Sequence, residues 1–449
     1  MSFKKRLIKT GYSSIINKII KIAEQLLLVP FFIKFWGASY YGEWLTLTTI
    51  PTIIGLSDLG FGTAAANSFI LNYAANKKQE ASNISKSGYF SITLIISFLI
   101  FLSIALLYIF NMYNLFDKLV IPKNEVIISI YLLMMSKIIC FYQPLNEAYF
   151  KAARKFSESI NLTSIFSGLN IIFAIFILFN KGKIVQYSIV NLFISIIFNF
   201  TYYIFAKRKL DFSSLNNKGI ILKSDLKKIF HKGFGFLLSP IWQSIFFQGT
   251  TLVIRIVLGP ISVTIFNTVR TLTRSANQAN SIIINAILPE LQYEIGCNNL
   301  EKARKIYRFG LTVISFSSVL GCIILYFGGH WLYEIWTHKS LNPPESIWNI
   351  FIISILFNAL WWLSSDVLIA SNKPYEFTIA GVIISILSVF LSYFLSIKFG
   401  ITGAAIGSLF LDLFLFFYVF PKSCRLIDQN INTFFFDLRN DYKYIFKKL

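Results

Sequence analysis

Charge is what this chain has least of. Only 14% of its 449 residues are charged against 55% hydrophobic, and the mean hydropathy is +0.63, values that a soluble domain rarely reaches. Cysteine is equally scarce. Cys140, Cys297, Cys322 and Cys424 show no C-x-x-C spacing, and two of them fall in segments read below as cytoplasmic, so neither disulfides nor a metal cluster is supported. No Walker A loop, zinc-ligand set or nucleophile elbow occurs, and "GFG" at 233–235 is a lone G-x-G entering an apolar run. No catalytic residue, metal ligand or cofactor is assigned, and an enzyme is not expected.

What the chain does have is apolar runs of roughly twenty residues, each long enough to cross a bilayer as a helix. They recur along its whole length, so the reading is an all-α polytopic membrane protein. Barrel strands would be about half as long and would alternate apolar with polar. About twelve spans follow from hydropathy, near 14–35, 41–66, 88–111, 126–150, 158–180, 184–206, 233–258, 262–288, 308–328, 347–370, 376–398 and 402–421. The basic start "MSFKKRLIK" resembles a signal peptide, but no small-residue cleavage site follows, so the first helix is read as retained. Heavy use of Phe, Ile, Lys and Asn also fits nucleotide bias in the gene.

The net charge of +21 follows membrane topology and does not point to nucleic acid. With the N-terminus inside, the inner segments hold about 29 of the 42 Lys and Arg and the outer loops about six, the asymmetry expected of a cytoplasmic side. Both termini are then cytoplasmic. The polar insertion 207–232 divides the chain into six-span groups at 1–206 and 233–421, with a tail at 422–449 that has the character of an interfacial segment. Sliding the second half on the first by 218 positions brings "AARKFSE" onto "ASNKPYE" and Gly182 onto Gly400. Six spans is an even number, so such repeats would share one orientation, about an axis along the membrane normal.

Seven basic residues remain in or beside spans. Lys34 and Arg255 sit near outer ends, where snorkelling accounts for them. Arg270 and Arg274 lie about 10 to 18 Å from the outer end of the eighth span at 1.5 Å per residue, and Lys137 is mid-span in the fourth. An intramembrane charge costs about 2.5–3.5 kcal/mol on insertion scales, so each should face a partner or water. Asn267, Arg270, Arg274, Gln278, Ser281 and Asn285 recur at helical spacing as one polar face, opposite Ile265, Val269, Leu272, Ala276, Ile283 and Ile287. That pattern reads as a lumen-lining helix, with a structural ion-pair network as the alternative. Two guanidinium forks one turn apart suit a phosphate or pyrophosphate.

The acids Glu24, Asp58, Glu147, Asp366 and Asp412 fall within spans or at their inner ends, as either ion and proton relays or partners of the buried bases. Pro51, Gly55, Gly60 and Gly62 surround Asp58 and would bend or break the second span there, for packing or to expose carbonyls beside the carboxylate. Trp36, Trp44, Trp331, Trp336 and Trp348 read as an interfacial belt. Trp361 and Trp362 lie mid-span, offering an aromatic face to a sugar or packing in the core. Gly403 and Gly407 have G-x-x-x-G spacing, whose default meaning is close helix packing.

Several segments together resemble one family. In "FFIKFWGASYYGEWLTLTTIPTIIGLSDLGFGTAAANSFI", Gly37, Tyr41, Gly42 and Trp44 and then Asp58, Leu59 and Gly60 look like the first-to-second-span signature of bacterial O-antigen and polysaccharide flippases. "FGITGAAIGSLFLDLFLFFYVF" is similar to their twelfth span. The resemblance implies the polysaccharide-transporter branch of the multidrug, oligosaccharidyl-lipid and polysaccharide superfamily, a MATE-like fold of two six-helix bundles around a V-shaped lumen, in the bacterial inner membrane. It implies flipping of undecaprenyl-pyrophosphate-linked oligosaccharide from the cytoplasmic to the periplasmic leaflet, with membrane lipids, a polysaccharide polymerase and a chain-length regulator as partners. Arg270, Arg274 and Lys137 would hold pyrophosphate, and Asn267, Gln278, Ser281, Asn285 and Trp361 would line the glycan path. Asp58, Glu24 and Asp366 would couple an ion. A lipid II flippase and a multidrug or cation antiporter of the same superfamily are the near alternatives. An integral glycosyltransferase or polymerase is the distant one, disfavoured because no outer loop exceeds about twenty residues.

Overall fold

The computed structural model describes residues 3–437 apart from 57, 114–118, 211–218, 298, 372, 432 and 435, with the backbone alone at 3–8, 56, 58–59, 74, 232, 234–237, 239, 279, 285–286, 289–290, 292–293, 296 and 374. Among these residues the chain is all helix and turn. The helices are α1 (Phe3–Leu47), α2 (Thr49–Leu56), α3 (Asp58–Ala74), α4 (Lys78–Met112), α5 (Lys123–Ile139), α6 (Gln143–Ala152), α7 (Phe156–Phe179) and α8 (Ile184–Lys209). There follow α9 (Lys223–Leu258), α10 (Pro260–Gly296), α11 (Leu300–Trp336), α12 (Glu345–Ala370) and α13 (Pro374–Leu426).

Among the described residues, eight helices are long and apolar enough to cross a membrane, and the chain is a multi-pass membrane protein. One of the eight, α13, is two spans joined at Gly400. Three expected spans fall short for identifiable reasons. The first, α1, carries Lys18, Lys21 and Glu24 along its length; the second is split into short α2 and α3; and α10 carries the two arginines and their polar neighbours.

The chain divides into two compact units, residues 1–244 and 245–449, with the boundary inside α9. The two ends of the segment expected to link the halves are helical, since α8 runs to Lys209 and α9 starts at Lys223. The tail expected from 422 begins inside α13.

In the first unit α1 packs on α7, α5 on α8 and α2, and α3 on α4 and α6. Phe69, Phe150, Tyr149 and Tyr202 fill its core. Apolar surroundings demand partners for the phenols: Tyr149 is hydrogen-bonded to Ser85 at 2.5 Å, and Tyr202 to Ser159 at 2.6 Å. In the second unit α10, α11 and α12 pack together and α12 lies on α13. Its core follows the same rule, Tyr307 meeting Ser364 at 2.7 Å and Tyr333 meeting Thr268 at 2.8 Å. Outward-facing Phe101, Phe176, Phe316, Phe327 and Phe417 are each more than three-fifths exposed, a surface that fits hydrocarbon better than water.

Tight helix-to-helix turns depend on glycine. Gly37 (φ 78°), Gly259 (φ 87°) and Gly400 (φ 59°) take backbone angles that L side chains avoid. The first two join the first and second spans of each half, the third joins the eleventh to the twelfth, and the corresponding turn after α7 uses Lys181 (φ 56°) and Gly182. Gly403 and Gly407 meet the close-packing expectation. A Cβ at Gly403 would overlap the Leu395 carbonyl and one at Gly407 the Ser392 hydroxyl, while Ser388 donates to the Gly407 carbonyl at 2.6 Å.

The tryptophan belt is only partly as expected. Trp331 is exposed, but Trp44 and Trp348 are buried. Trp44 sits in an aromatic cluster with Phe32, Trp36 and Tyr187, and Trp348 donates its indole N–H to the Leu325 carbonyl at 3.1 Å.

Candidate functional site

The site is built on α10. Pro260 starts this helix directly after the Gly259 turn, where a missing N–H costs nothing. Two turns in, Asn267 anchors its amide to the Val263 carbonyl at 2.9 Å and presents its oxygen to Arg270 Nη2. Arg270 Nη2 also reaches Thr251 Oγ1 on α9 at 3.4 Å. One turn on, Arg274 lies over the Phe247 ring at 4.3 Å, and Arg270 approaches the same ring at 5.1 Å and Phe266 at 5.3 Å. Phe247 therefore forms a shared aromatic floor for both cations, a contact worth about 0.5–2 kcal/mol per cation.

This arrangement leaves anion-binding capacity unused. Arg270 Nη1 is buried with no hydrogen-bond partner, and among the described residues neither arginine forms an ion pair. Among the described residues no structural ion-pair network holds the two guanidinium groups. Asp412 on α13 acts on Arg274 through its field, but its oxygens are committed to neutral donors. Asn358 Nδ2 and Trp361 Nε1 both donate to Oδ1 at 2.9 Å, and Ser354 donates to Oδ2.

The remaining candidates divide as follows. Gln278 and Ser281 are partly buried on α10, the serine hydroxyl turned back to the Gln278 carbonyl at 2.7 Å. Asn285 and Asp58 have side chains outside the described residues. Trp361 is buried, its N–H held by Asp412 and its ring beside Phe377, so its packing is that of a core residue. Lys137 belongs to the first unit, exposed and beside Gly55, and its charge acts on Glu24 there. Asp366 is 4% exposed with Oδ2 lacking a partner. Among the described residues no His, Cys, Asp and Glu cluster is arranged for a metal.

Sequence reasoning missed the second polar face of α10. Val269, Leu272 and Ile287 are buried as expected, but Thr268, Thr273, Asn277 and Asn280 are buried among them. Asn277 donates to Asn358 at 3.0 Å and Asn280 to Ser318 at 2.9 Å. A chain of amides therefore leads from α10 to the Asp412 carboxylate. Threonine and asparagine at spacings of three to five were its only trace in the sequence.

No family model matches the chain, and no curated protein matches it. Solved structures do. An inward-facing multidrug resistance MATE family transporter of the MOP superfamily superposes with a TM-score of 0.74 at 14% identity, over 91% of this chain and 94% of that one. The fold is that of the MATE transporters. An outward-facing MATE family transporter superposes at 0.66 with 17% identity, over 95% and 96%. A MOP superfamily transporter from Pyrococcus furiosus, described as having a binding pocket of reverse polarity that suggests a different function, superposes at 0.65 with 13% identity, over 95% and 96%. Identities this low carry the MATE fold and leave the cargo to the residues of this chain.

Proposed function

We propose that this protein is a transporter that moves undecaprenyl-pyrophosphate-linked oligosaccharide repeat units from the cytoplasmic to the periplasmic leaflet by alternating access. The observation that carries this reading is the Arg270 and Arg274 pair, two cations on one aromatic floor without a carboxylate ion pair among the described residues. Dianionic phosphate oxygens would supply what the unpartnered Nη1 lacks. Asn267, Gln278, Ser281 and Asn285 extend the same α10 face toward the sugars. Lys137 would meet the pyrophosphate in a second conformation, and Glu24, Asp58 or Asp366 would carry the coupling ion; the unpartnered Asp366 oxygen fits a carboxyl that takes up a proton. A ligand shifts inward and outward states only by binding them unequally, which an exchange of phosphate for carboxylate neighbours would provide.

The multidrug transporters among the structural neighbours favour a second reading, drug export. Cationic drugs require an acidic cavity, and the arginine pair opposes it. The deciding experiment is surface polysaccharide display in a deletion strain carrying the intact chain or Arg270→Ala/Arg274→Ala at matched abundance. Loss of display with lipid-linked units held on the inner leaflet is expected of deletion and variant alike. Full display in the variant would remove the phosphate assignment, and normal display with new drug sensitivity on deletion would establish the exporter.

A further inference from the structure

The first unit holds a second concentration of positive charge, built from residues that the arginine site does not use. Where α1 turns at Gly37 and the α7–α8 connection passes beside it, a concave pocket of about 370 Å³ is lined by Lys34, Lys181 and Lys183 together with Phe35, Trp36 and Tyr40. Among the described residues none of the three ammonium groups is in an ion pair. The field of Glu125 reaches Tyr40 at the pocket's edge. The 26-residue helix α8 starts at Ile184 beside the pocket, adding the positive end of its dipole.

The frame is rigid. Trp36 Nε1 donates to the Gly182 carbonyl at 2.9 Å, and the Ile184 amide donates to Tyr40 Oη at 3.4 Å. Gly182 N donates to the Ile177 carbonyl at 2.8 Å and Lys181 N to Leu178 at 3.0 Å, a closed helix-end turn that holds Lys181 in the left-handed region. The pocket continues into an apolar face, Phe35 meeting Phe179 edge-on at 5.2 Å, with Phe179 and Phe176 both exposed. Three lysines beside aromatic rings, with Lys34 over Phe35 at 5.9 Å and exposed Phe at the border, match the sequence of layers from headgroup to acyl chain at a membrane interface.

We infer that this pocket is a binding site for the phosphate headgroup of an anionic glycerophospholipid, whose acyl chains lie on the Phe176 and Phe179 face. The site is independent of what the transporter carries. A free phosphate would satisfy the lysines equally, but it would gain nothing from the adjoining phenylalanines.

The test measures phosphatidylglycerol and phosphatidylcholine retained by the full chain after detergent extraction, using native mass spectrometry and thermal unfolding. Each lysine near an anionic surface is worth about five-fold in partitioning. Lys34→Gln/Lys181→Gln/Lys183→Gln should therefore lose at least about ten-fold in phosphatidylglycerol binding. Lys78→Gln/Lys227→Gln/Lys305→Gln, which removes the same charge elsewhere, should retain it, as should Arg270→Ala/Arg274→Ala. The lipid-free unfolding midpoints should agree, which separates lost binding from lost folding. Undiminished binding in the pocket variant, equal retention of phosphatidylcholine by the intact chain, or displacement of phosphatidylglycerol by millimolar inorganic phosphate would each overturn the inference.

Discussion

Arg270 and Arg274 share Phe247, so the ring is the residue through which the pair can be weakened without removing either charge. Phe247→Leu should leave the protein folded and reduce affinity for a pyrophosphate-bearing lipid by roughly two- to thirty-fold, the equivalent of about 0.5–2 kcal/mol, as read from lipid-induced stabilisation. Asp412 behaves differently, since it is satisfied by three neutral donors from α12. Trp361→Phe deletes one of them and should destabilise the second unit by about 1–3 kcal/mol, whereas a sugar-contacting tryptophan would lower transport and spare stability. The arginines and their polar stripe were legible in the sequence because helical periodicity is a local property. Phe247 and Thr251 were not, as one phenylalanine among 47 carries no mark of which cation it will meet across a helix pair. The Asp412 network was hidden for the same reason, its members lying on α10, α11, α12 and α13.

At the scale of elements, the spans were readable and their joints only in part. Hydropathy located twelve segments, and helices occupy all of them. It could not show that spans eleven and twelve form one unbroken helical run save for Gly400, or that α7 ends on a left-handed lysine. These are backbone choices made by a few residues. Gly400→Ala meets no atom within 4 Å, so its cost is conformational alone and should be about 1–3 kcal/mol. Gly168→Ala, equally unobstructed but inside α7, should be neutral or stabilising by about 0.5–1 kcal/mol. Detergent unfolding midpoints that moved together in the two variants would refute the joint. Gly407→Val belongs to another class, since even a Cβ there collides with Ser392, and the two halves of α13 should separate.

At the scale of the whole molecule, the chain forms two units of similar size, and the second ends in a hydrogen-bonded strap. In the second, Arg304 Nη1 donates to the Asp428 carbonyl at 3.0 Å, Arg308 Nη1 to Gln429 at 2.5 Å, and Phe434 packs on Tyr307 and Phe420. Asp437 closes the strap. Hydrogen bonds from Gln429 first and Thr433 next, with the fields of Arg308 and Arg304, hold its carboxyl below the usual carboxylate range. A depressed folded value means that its contribution is present above about pH 4 and is lost as pH falls through that lower value. Amide protection factors across 427–437 should therefore stay high at pH 5 and fall under stronger acid, and Asp437→Asn should abolish that dependence. The Gly259 turn has a consequence for biosynthesis. Among the described residues the arginine-bearing α10 is not one of the helices apolar enough to cross alone, yet one glycine ties it to the apolar Pro240–Leu258 end of α9. The pair should therefore enter lipid together as a hairpin, the apolar end of α9 carrying α10 with it. A longer hydrophilic spacer at Gly259 would strand α10 in water, with every later span inverted.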